Sequence, residues 1–251
     1  MQQMLEATAR AEDRHFWFTG LRRYARRLLD SALEGRTVQL VIDCGAGSGR
    51  NLDWLREYGL AVGVERSDVG LRLGRARRNR LVQASVTALP FADASADVAT
   101  SFDVLYCLDD ASEERALAEM WRVLKPGGIV LVNVAALDLL RGSHSTLTRE
   151  VRRYTRTRLA ARLERAGFRL ERLTFTNMTT FPLTLAVRLR DRLLDRTAVA
   201  SDAEFTIPPS LVNSALDTAL AVEAGLLRWI NLPIGSSIMA VGRKMAGPTA
   251  I

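Results

Sequence analysis

An apolar run that ends in a glycine-rich turn constrains the fold of this chain more than any other feature. Residues 38–43, VQLVID, read as a buried β-strand, and the turn CGAGSG (44–49) follows directly. Residues 51–58 are compatible with a helix. Gly45 and Gly47 can adopt positive φ angles and allow the backbone to approach a ligand closely. This succession of strand, turn and helix is typical of a nucleotide-binding α/β unit.

A carboxylate ends the next predicted strand. Glu65 closes the run LAVGVE (60–65) and lies 22 residues after Asp43. In that place a carboxylate can accept hydrogen bonds from both hydroxyl groups of a ribose. The GxGxG spacing differs from the GxGxxG pattern of dinucleotide-binding folds, so the pattern does not require a pyrophosphate at the N-terminus of the following helix.

Four segments in consistent order carry a resemblance to a known family. They are VIDCGAGSGR (41–50), VGVERSD (62–68), ALPFADASADVATSFDVLYCL (88–108) and EMWRVLKPGGIVLVNV (119–134). Together they resemble the class I S-adenosylmethionine (SAM) dependent methyltransferases. The most specific of them is the RVLKPGG turn that leads into a strand. The resemblance covers about residues 38–135, and it implies methyl transfer with SAM as the cofactor.

The alternation of strands and helices predicts an α/β fold with right-handed parallel crossovers. The family resemblance implies that the fold is a Rossmann-like, seven-stranded, mostly parallel sheet with an antiparallel last strand and helices on both faces. Residues 1–36 are predicted to form an N-terminal helical cap or lid, and residues 37–251 the methyltransferase domain, with a helical insert at about 178–232. The predicted strands are 38–43, 60–65, 80–83, 97–102, 129–135, 168–175 and 236–243.

The resemblance also implies which residues bind each part of SAM. Asp43 is expected to hold the amino group of the methionine portion, often through water, and Glu65 to bind the ribose. Ser85 stands where the family often has an aspartate that accepts from the adenine amino group, so this contact is uncharged here. The remaining expected cofactor contacts lie in the glycine turn and after the second, third and fourth strands: Gly45, Ala46, Gly47, Arg66, Val86, Phe102 and Asp103.

The N-terminal segment carries a second resemblance. His15-Phe16-Trp17-Phe18, followed by Arg22 and Arg23, looks like the HFWF segment of a bacterial methyltransferase subgroup linked to glycan, lipid or natural-product pathways. Trp17 is expected to cover the cofactor as part of a lid that excludes water. A hydrophobic plug at the helix end is the alternative.

The acceptor site is expected beyond the fifth strand. His144, one of two histidines, titrates near neutrality and is the candidate general base; the alternative is a plain loop histidine. Phe181, Leu183 and Trp229 offer an apolar wall for an apolar or amphiphilic small molecule, although packing or a dimer face would explain them equally. Four further residues are expected to contact the substrate: Tyr106, Arg152, Arg153 and Tyr154.

Composition limits the other possibilities. The net charge is +7, but the arginines alternate with acids and leucines, as on the solvated faces of helices. We therefore expect a small-molecule acceptor and no sequence-specific nucleic acid. Two cysteines are too few for a metal cluster or a disulfide framework. With no long apolar run and no secretory pattern at the start, a cytoplasmic protein without a transmembrane segment is expected. Oligomeric state stays open.

Two alternatives to a small-molecule methyltransferase remain at this point. The first is a protein that keeps the fold and binds SAM without transferring its methyl group, with a role in another reaction or in partner binding. The second is a nucleic-acid methyltransferase. The amino-directed enzymes of that kind carry an Asx-Pro-Pro-aromatic turn after the fourth strand, where this chain reads Asp103-Val104-Leu105-Tyr106.

Overall fold

The computed structural model describes residues 2–141, 150–193 and 206–245. Its strands form one seven-stranded sheet in the order β3-β2-β1-β4-β5-β7-β6. The strands are β1 Leu40–Cys44, β2 Leu60–Glu65, β3 Leu81–Gln83, β4 Ala96–Phe102, β5 Leu124–Ala135, β6 Phe168–Thr176 and β7 Ser237–Lys244.

The direction of the strands matches the expected sheet. Only β7, which lies between β5 and β6, runs antiparallel to its neighbours, and the other pairs are parallel. β1 and β4 are buried along almost their whole length, as central parallel strands covered on both faces must be. The prediction of a Rossmann-like, mostly parallel sheet with an antiparallel last strand is therefore confirmed.

The order of the strands reverses between β1 and β4, and this reversal positions the site. Asp43 at the end of β1 lies opposite Gly63 of β2 on one side and Thr100 of β4 on the other. The carboxyl ends of these three strands therefore meet at one edge of the sheet. In open α/β sheets this switch point is where a ligand crevice opens.

Eight α-helices surround the sheet within the described ranges. Three short 3₁₀ segments, Arg75–Arg80, Leu105–Cys107 and Asp138–Leu140, complete the connections. The helices are α1 Gln2–Ala11, α2 Phe16–Leu33, α3 Leu52–Leu55, α4 Asp68–Leu73, α5 Asp110–Val123, α6 Arg156–Arg165, α7 Phe181–Leu193 and α8 Ser210–Leu226.

Strand β5 begins five residues earlier than the predicted 129. Leu124 pairs with Ala96, and the register then shifts before Val98 pairs with Ile129. The KPGG turn thus forms an irregularity inside the strand, with Gly127 at φ +81°, rather than a loop before it. A bulge of this kind leaves no alternating pattern that a sequence reading could detect.

Helix α2 shares the core of the sheet. Its Tyr24, Leu28 and Leu29 are at most 1% exposed and belong to the same buried cluster as the central strands. Arg23 of α2 also donates two hydrogen bonds to Asp217 of α8, at 2.6 and 2.8 Å. The N-terminal helices and the C-terminal insert therefore form one covering layer, and the division at residue 36 stays a prediction.

Many arginines of the chain pair with acids. Asp53 accepts from Arg50, Arg77 and Arg80; burial raises the pKa of this carboxyl, but these hydrogen bonds outweigh burial and hold it well below its usual value. In such pairs the acid neutralises the positive charge of the arginines. Within the described segments, none of the helices combines the length and the apolar character that crossing a membrane requires.

Candidate active site

A cavity of about 1080 Å³ opens at the switch point of the sheet. The glycine turn after β1 and the ends of β2, β3 and β4 form one side of it. Helices α1, α2, α7 and α8 supply much of the remaining lining. Most of the predicted site residues line this cavity: Trp17, Gly45, Ala46, Gly47, Glu65, Arg66, Ser85, Val86, Phe102, Asp103, Tyr106 and Arg153.

Backbone hydrogen bonds fix the glycine turn to the end of β2. The N–H groups of Gly45 and Ala46 both donate to the carbonyl of Val64, at 2.8 and 2.9 Å. Gly45 has φ +88°, and a Cβ there would lie 2.3 Å from Cγ2 of Val104. Glycine is therefore required at this position both by conformation and by space.

Gly47 forms the open part of the turn. Its φ is +56°, and a Cβ built there would meet only Cδ2 of Leu5, at 3.7 Å. Its N–H donates to Oε2 of Glu65 at 2.8 Å. The backbone therefore presents a bare surface toward the cavity beside a fixed carboxylate.

Glu65 is held from two directions. Besides the bond from Gly47, its Oε1 accepts from the N–H of Ser67 at 2.7 Å. Ser67 in turn caps α4 by accepting from the N–H of Val69. Each carboxylate oxygen has two acceptor sites, so Glu65 can still accept from a ligand hydroxyl while it remains in place.

Asp43 lies beneath the turn and does not line the cavity. It is 1% exposed, and its Oδ1 accepts from Oγ1 of Thr100 at 2.7 Å. Its Oδ2 has no hydrogen-bond partner among the described residues, and burial raises the pKa of this carboxyl to about 7. The expected hold on an amino group could therefore act only through an intervening group such as water, and it stays a prediction.

The residues expected at the adenine occupy one end of the cavity. Arg66 is exposed, whereas Ser85 and Val86 are half-buried. Oγ of Ser85 accepts from the N–H of Thr87 and lies 2.8 Å from Oγ1 of Thr87. The serine hydroxyl therefore stabilises its own turn, and its contact with an adenine amino group stays a prediction.

The three consecutive aromatic residues all reach the cavity from the start of α2. His15 is 5% exposed and caps this helix, since its Nδ1 accepts from the N–H of Trp17 at 3.2 Å. Its ring stacks on Phe16 with 4.6 Å between centroids. Phe16, Trp17 and Phe18 all line the cavity. His15 thus sets the direction in which the aromatic rings point.

Glu12 and Arg22 are charged residues of the cavity wall that the sequence did not assign to the site. Oε1 of Glu12 accepts from Oγ of Ser48 in the glycine turn at 2.6 Å, and burial raises the pKa of Glu12. Arg22 donates to the backbone carbonyl of Glu12 at 2.7 Å, and burial lowers its pKa. The paired arginines after HFWF were the available sequence signal for Arg22; Glu12 had none.

Charged and polar groups cluster at the end of β4. Asp103 has φ +61°, and its Oδ1 accepts from Nδ2 of Asn133 at 2.8 Å. Arg153 donates to both oxygens of Glu150, at 2.5 and 3.2 Å. Tyr106, 6% exposed, lines the same region. Asp103, Tyr106, Glu150 and Arg153 thus form a polar cluster in the cavity wall.

Arg152 and Tyr154 face away from the cavity. The Tyr154 hydroxyl donates to Oε1 of Glu113 at 2.6 Å, and Arg152 donates to Oε2 at 2.9 Å. Glu113 is fully buried, and a buried carboxylate requires such partners. Arg152 and Arg162 therefore neutralise Glu113 and Tyr154 donates a hydrogen bond to it, so neither Arg152 nor Tyr154 lines the cavity. His144 lies outside the described residues.

In the part of the chain that the structure describes, the two C-terminal helices contribute six residues to the cavity wall, of which four are apolar and two, Thr184 and the buried Arg188, are polar. Leu183 and Val187 come from α7, and Val212 and Leu216 from α8. Leu183 therefore lies where an apolar wall was expected. Trp229 does not: it is 72% exposed and outside the cavity lining, because it follows the end of α8 on the outer surface.

Comparison with known proteins relates the chain to methyltransferases. A family model described as a methyltransferase domain matches residues 42–132. Over 117 residues the chain is 38% identical to demethylmenaquinone methyltransferase from Renibacterium salmoninarum, and the match covers 45% of this chain and 48% of that protein. The chain thus spans about half the length of this curated relative.

Solved structures share the fold over most of the chain. One is a SAM-dependent methyltransferase from Thermotoga maritima, described as a possible histamine N-methyltransferase, with a TM-score of 0.60, 19% identity and coverage of 97% of this chain and 100% of that one. Another is the [4+2]-cyclase SpnF, with a TM-score of 0.54, 20% identity and coverage of 88% and 81%. Residues 42–132 are therefore a methyltransferase domain, in a chain with the Rossmann-like fold of the class I SAM-dependent methyltransferases.

Proposed function

We propose that this chain is a SAM-dependent methyltransferase that acts on a small apolar or amphiphilic molecule. One observation carries the proposal: a single cavity joins the glycine turn and Glu65 to the apolar faces of α7 and α8. The glycine turn and Glu65 suit a polar nucleoside cofactor, and the apolar side chains suit a less polar acceptor. Because both lie in one cavity, the two molecules can come into contact.

The residues of the cavity fit SAM. Gly47 leaves a bare backbone surface that a Cβ would begin to fill, and Glu65 is fixed beside it to accept from the ribose hydroxyls. Ser85 and Val86 suit the adenine, and exposed Arg66 can lie against its edge. These groups match the neutral and hydrogen-bonding parts of the cofactor.

The charged methionine portion also finds partners. Arg22 lines the cavity above the glycine turn, and its guanidinium can pair with a carboxylate. Asp43, with one unpartnered oxygen beneath the turn, can receive the ammonium group through water. Phe102 ends β4 on the same side of the cavity. The donor and acceptor groups thus complement a zwitterion.

SAM, when bound, supplies a methyl group that its positively charged sulfur activates. The chain's own contribution is alignment: holding cofactor and acceptor in one orientation can account for about 7–11 kcal/mol of a barrier. Phe16, Trp17 and Phe18 exclude water from the reacting groups. The apolar side chains of α7 and α8 hold the body of the acceptor against the polar cluster at the end of β4.

The polar cluster suits the reactive end of the acceptor. Tyr106 and Arg153 line the cavity beside Asp103 and can orient a hydroxyl, an amine or an activated carbon. His144 remains the sequence's candidate base, in the segment that follows β5. An acceptor with an apolar body and one such polar end fits both parts of the wall. We also propose that nucleic acid is not a sequence-specific partner, because arginines pair with acids in several clusters.

The second candidate is a protein that binds SAM and directs a different reaction. Two observations support this second candidate. The chain shares its fold with a [4+2]-cyclase, and it has the uncharged Ser85 where an aspartate is expected to contact the adenine. The two candidates differ in one product. Only the methyltransferase converts SAM to S-adenosylhomocysteine in step with a methylated acceptor.

The proposal is tested by methyl transfer from labelled SAM into fractionated cell extract. We expect label to appear in an organic-soluble fraction with wild-type protein and to be lost with Glu65→Ala. Glu57→Ala, which removes an exposed glutamate that pairs with Arg26, is the matched control and should transfer normally. Label in nucleic acid, or none in any fraction while SAM binds, would overturn the proposal.

A further inference from the structure

The backbone at the end of β4 places one carboxylate where the acceptor's reactive atom must come. We propose that Asp103 is the proton acceptor of this site, removing the proton from the hydroxyl or amine that becomes methylated. This inference rests on the proposed function and adds a catalytic residue to it. The sequence had assigned Asp103 only to the cofactor and His144 to proton transfer.

Asp103 is held in an unusual conformation. Its φ of +61° lies in the left-handed region, which aspartate tolerates better than most residues other than glycine, and the surrounding structure fixes it there. Its N–H donates to the carbonyl of Asn133 at 3.1 Å, and Nδ2 of Asn133 donates to its Oδ1. Both bonds join Asp103 to β5, so the carboxylate cannot turn freely.

The position of Asp103 in the cavity is central. Gly45 packs directly on Val104, the next residue, so Asp103 lies beside the turn that receives the methionine portion of the cofactor. Tyr106 and Arg153, from the segments after β4 and β5, line the cavity around it. The carboxylate therefore lies between the cofactor side and the acceptor side of the cavity.

Among the described residues, charged and titratable groups reach Asp103 from two segments. Glu150 and Arg153 approach from the segment after β5, and Tyr106 and Cys107 from the segment after β4. The pKa of Asp103 is raised to about 7, and burial is the largest cause. Glu150 raises this pKa further, whereas Asn133 and Arg153 lower it. A carboxylate with a pKa near the working pH is the most effective general base.

A lone pair on the acceptor oxygen or nitrogen forms the bond to the methyl carbon while the carbon–sulfur bond breaks and its electron pair stays on sulfur. The O–H or N–H bond then gives its proton to the Asp103 carboxylate, and its electron pair remains on the methylated atom. The positive charge of the sulfonium and the negative charge of Asp103 are both neutralised.

A carboxylate in this place could instead hold the cofactor's ammonium group, and two ligands separate the roles. S-adenosylhomocysteine and sinefungin both carry the methionine ammonium, but only sinefungin adds a second ammonium where the methyl group would be. A nearby positive charge favours an ionised carboxylate. If Asp103 faces the methyl position, sinefungin lowers its pKa further than S-adenosylhomocysteine does.

The first experiment is a carboxyl titration by difference infrared spectroscopy on the whole chain, with each ligand. We expect two carboxyl signals titrating near neutral pH, from Asp43 and Asp103. Asp93→Asn, an exposed loop variant outside the cavity, retains both, whereas Asp103→Asn removes one of them, which is the signal of Asp103. Its midpoint should be lower with sinefungin than with S-adenosylhomocysteine. Equal midpoints of this signal with the two ligands, or both signals unchanged in Asp103→Asn, would overturn the proposal whether or not methyl transfer is found.

The second experiment measures affinity and turnover. Asp103→Asn should bind S-adenosylhomocysteine within about threefold of wild type, because the amide keeps the bond from Asn133. Transfer of label into the acceptor fraction should fall by about 10²–10⁴-fold and lose its dependence on pH near 7. Wild-type turnover in Asp103→Asn would show that the base is elsewhere while methyl transfer itself stands. Loss of cofactor affinity equal to the loss of turnover would assign Asp103 to the ammonium.

Discussion

The backbone N–H of Gly47 donates a hydrogen bond to Oε2 of Glu65 over 2.8 Å. The acid that ends β2 therefore also fixes the turn that follows β1. One carboxylate links the two elements that would receive the ribose and the methionine portion of a cofactor. A change at Glu65 is expected to affect the turn and the ligand together.

Glu65→Ala should weaken the binding of S-adenosylhomocysteine by roughly 1–3 kcal/mol, because the ribose hydroxyls lose a charged acceptor. Calorimetric titration measures this directly. Glu65→Gln keeps one oxygen for the N–H of Gly47 and should lose less affinity. Equal affinities for wild type and Glu65→Ala would show that the ribose lies elsewhere.

Gly45→Ala should destabilise the chain by roughly 1–3 kcal/mol more than Gly35→Ala. Both glycines have positive φ angles, but a Cβ at Gly35 meets no atom within 4 Å, whereas at Gly45 it lies 2.3 Å from Cγ2 of Val104. Comparing the two variants in urea unfolding separates the cost of the clash from the cost of the backbone angle. Adding Val104→Ala should recover part of the loss in Gly45→Ala only, and no recovery would contradict the packing account.

Asp43→Asn should stabilise the chain more at about pH 8 than at about pH 5. The pKa of Asp43 is about 7 in the folded chain and about 4 in an unfolded one. Between these values the folded state binds more protons, so the free energy of unfolding of wild type falls as pH rises through this window. Asparagine does not titrate, so the free energy of unfolding of Asp43→Asn does not fall in this way. Urea unfolding at both pH values gives the difference, and an identical difference at the two pH values would refute a raised pKa.

Trp17→Ala should weaken binding of S-adenosylhomocysteine, since it opens the wall of the cavity. It should also weaken acceptor binding, because the same ring borders the space reached by α7 and α8. Trp229→Ala removes a tryptophan that is 72% exposed and serves as the control. Fluorescence titration of both variants distinguishes a lid from a plug: a plug would lower the free energy of unfolding and leave the affinities of the folded protein unchanged.

Binding to duplex DNA or RNA should be weak and should disappear by about 0.15 M salt, because the interaction would depend on counterion release alone. Gel shift at increasing salt measures this. A sequence-selective complex that persists at that ionic strength would contradict the proposal that nucleic acid is not a specific partner.

The sequence predicted the sheet well because its signals are local. The run ending at Asp43, the glycine turn and the run ending at Glu65 each contain their own strand or turn pattern, and their strands lie within two residues of the expected bounds. Irregular pairing has no such signal, which is why the start of β5 at Leu124 was missed.

The site was less predictable where distant parts of the chain meet. Glu12 reaches Ser48 of the glycine turn because α1 packs over it, and no local pattern indicates that contact. Arg152 and Tyr154 carry groups that suit a substrate, but both donate hydrogen bonds to the buried Glu113, which is 39 and 41 residues away in the chain. Residue type alone cannot tell a buried ion pair from a binding site.

The ratio of S-adenosylhomocysteine formed to methyl groups gained by the purified acceptor tests the central claim most directly. A methyltransferase built on this cavity predicts about one for one with wild type, and neither product with Glu65→Ala at a cofactor concentration that only wild type binds. An acceptor converted without any S-adenosylhomocysteine, or bound SAM that is never consumed, would contradict it.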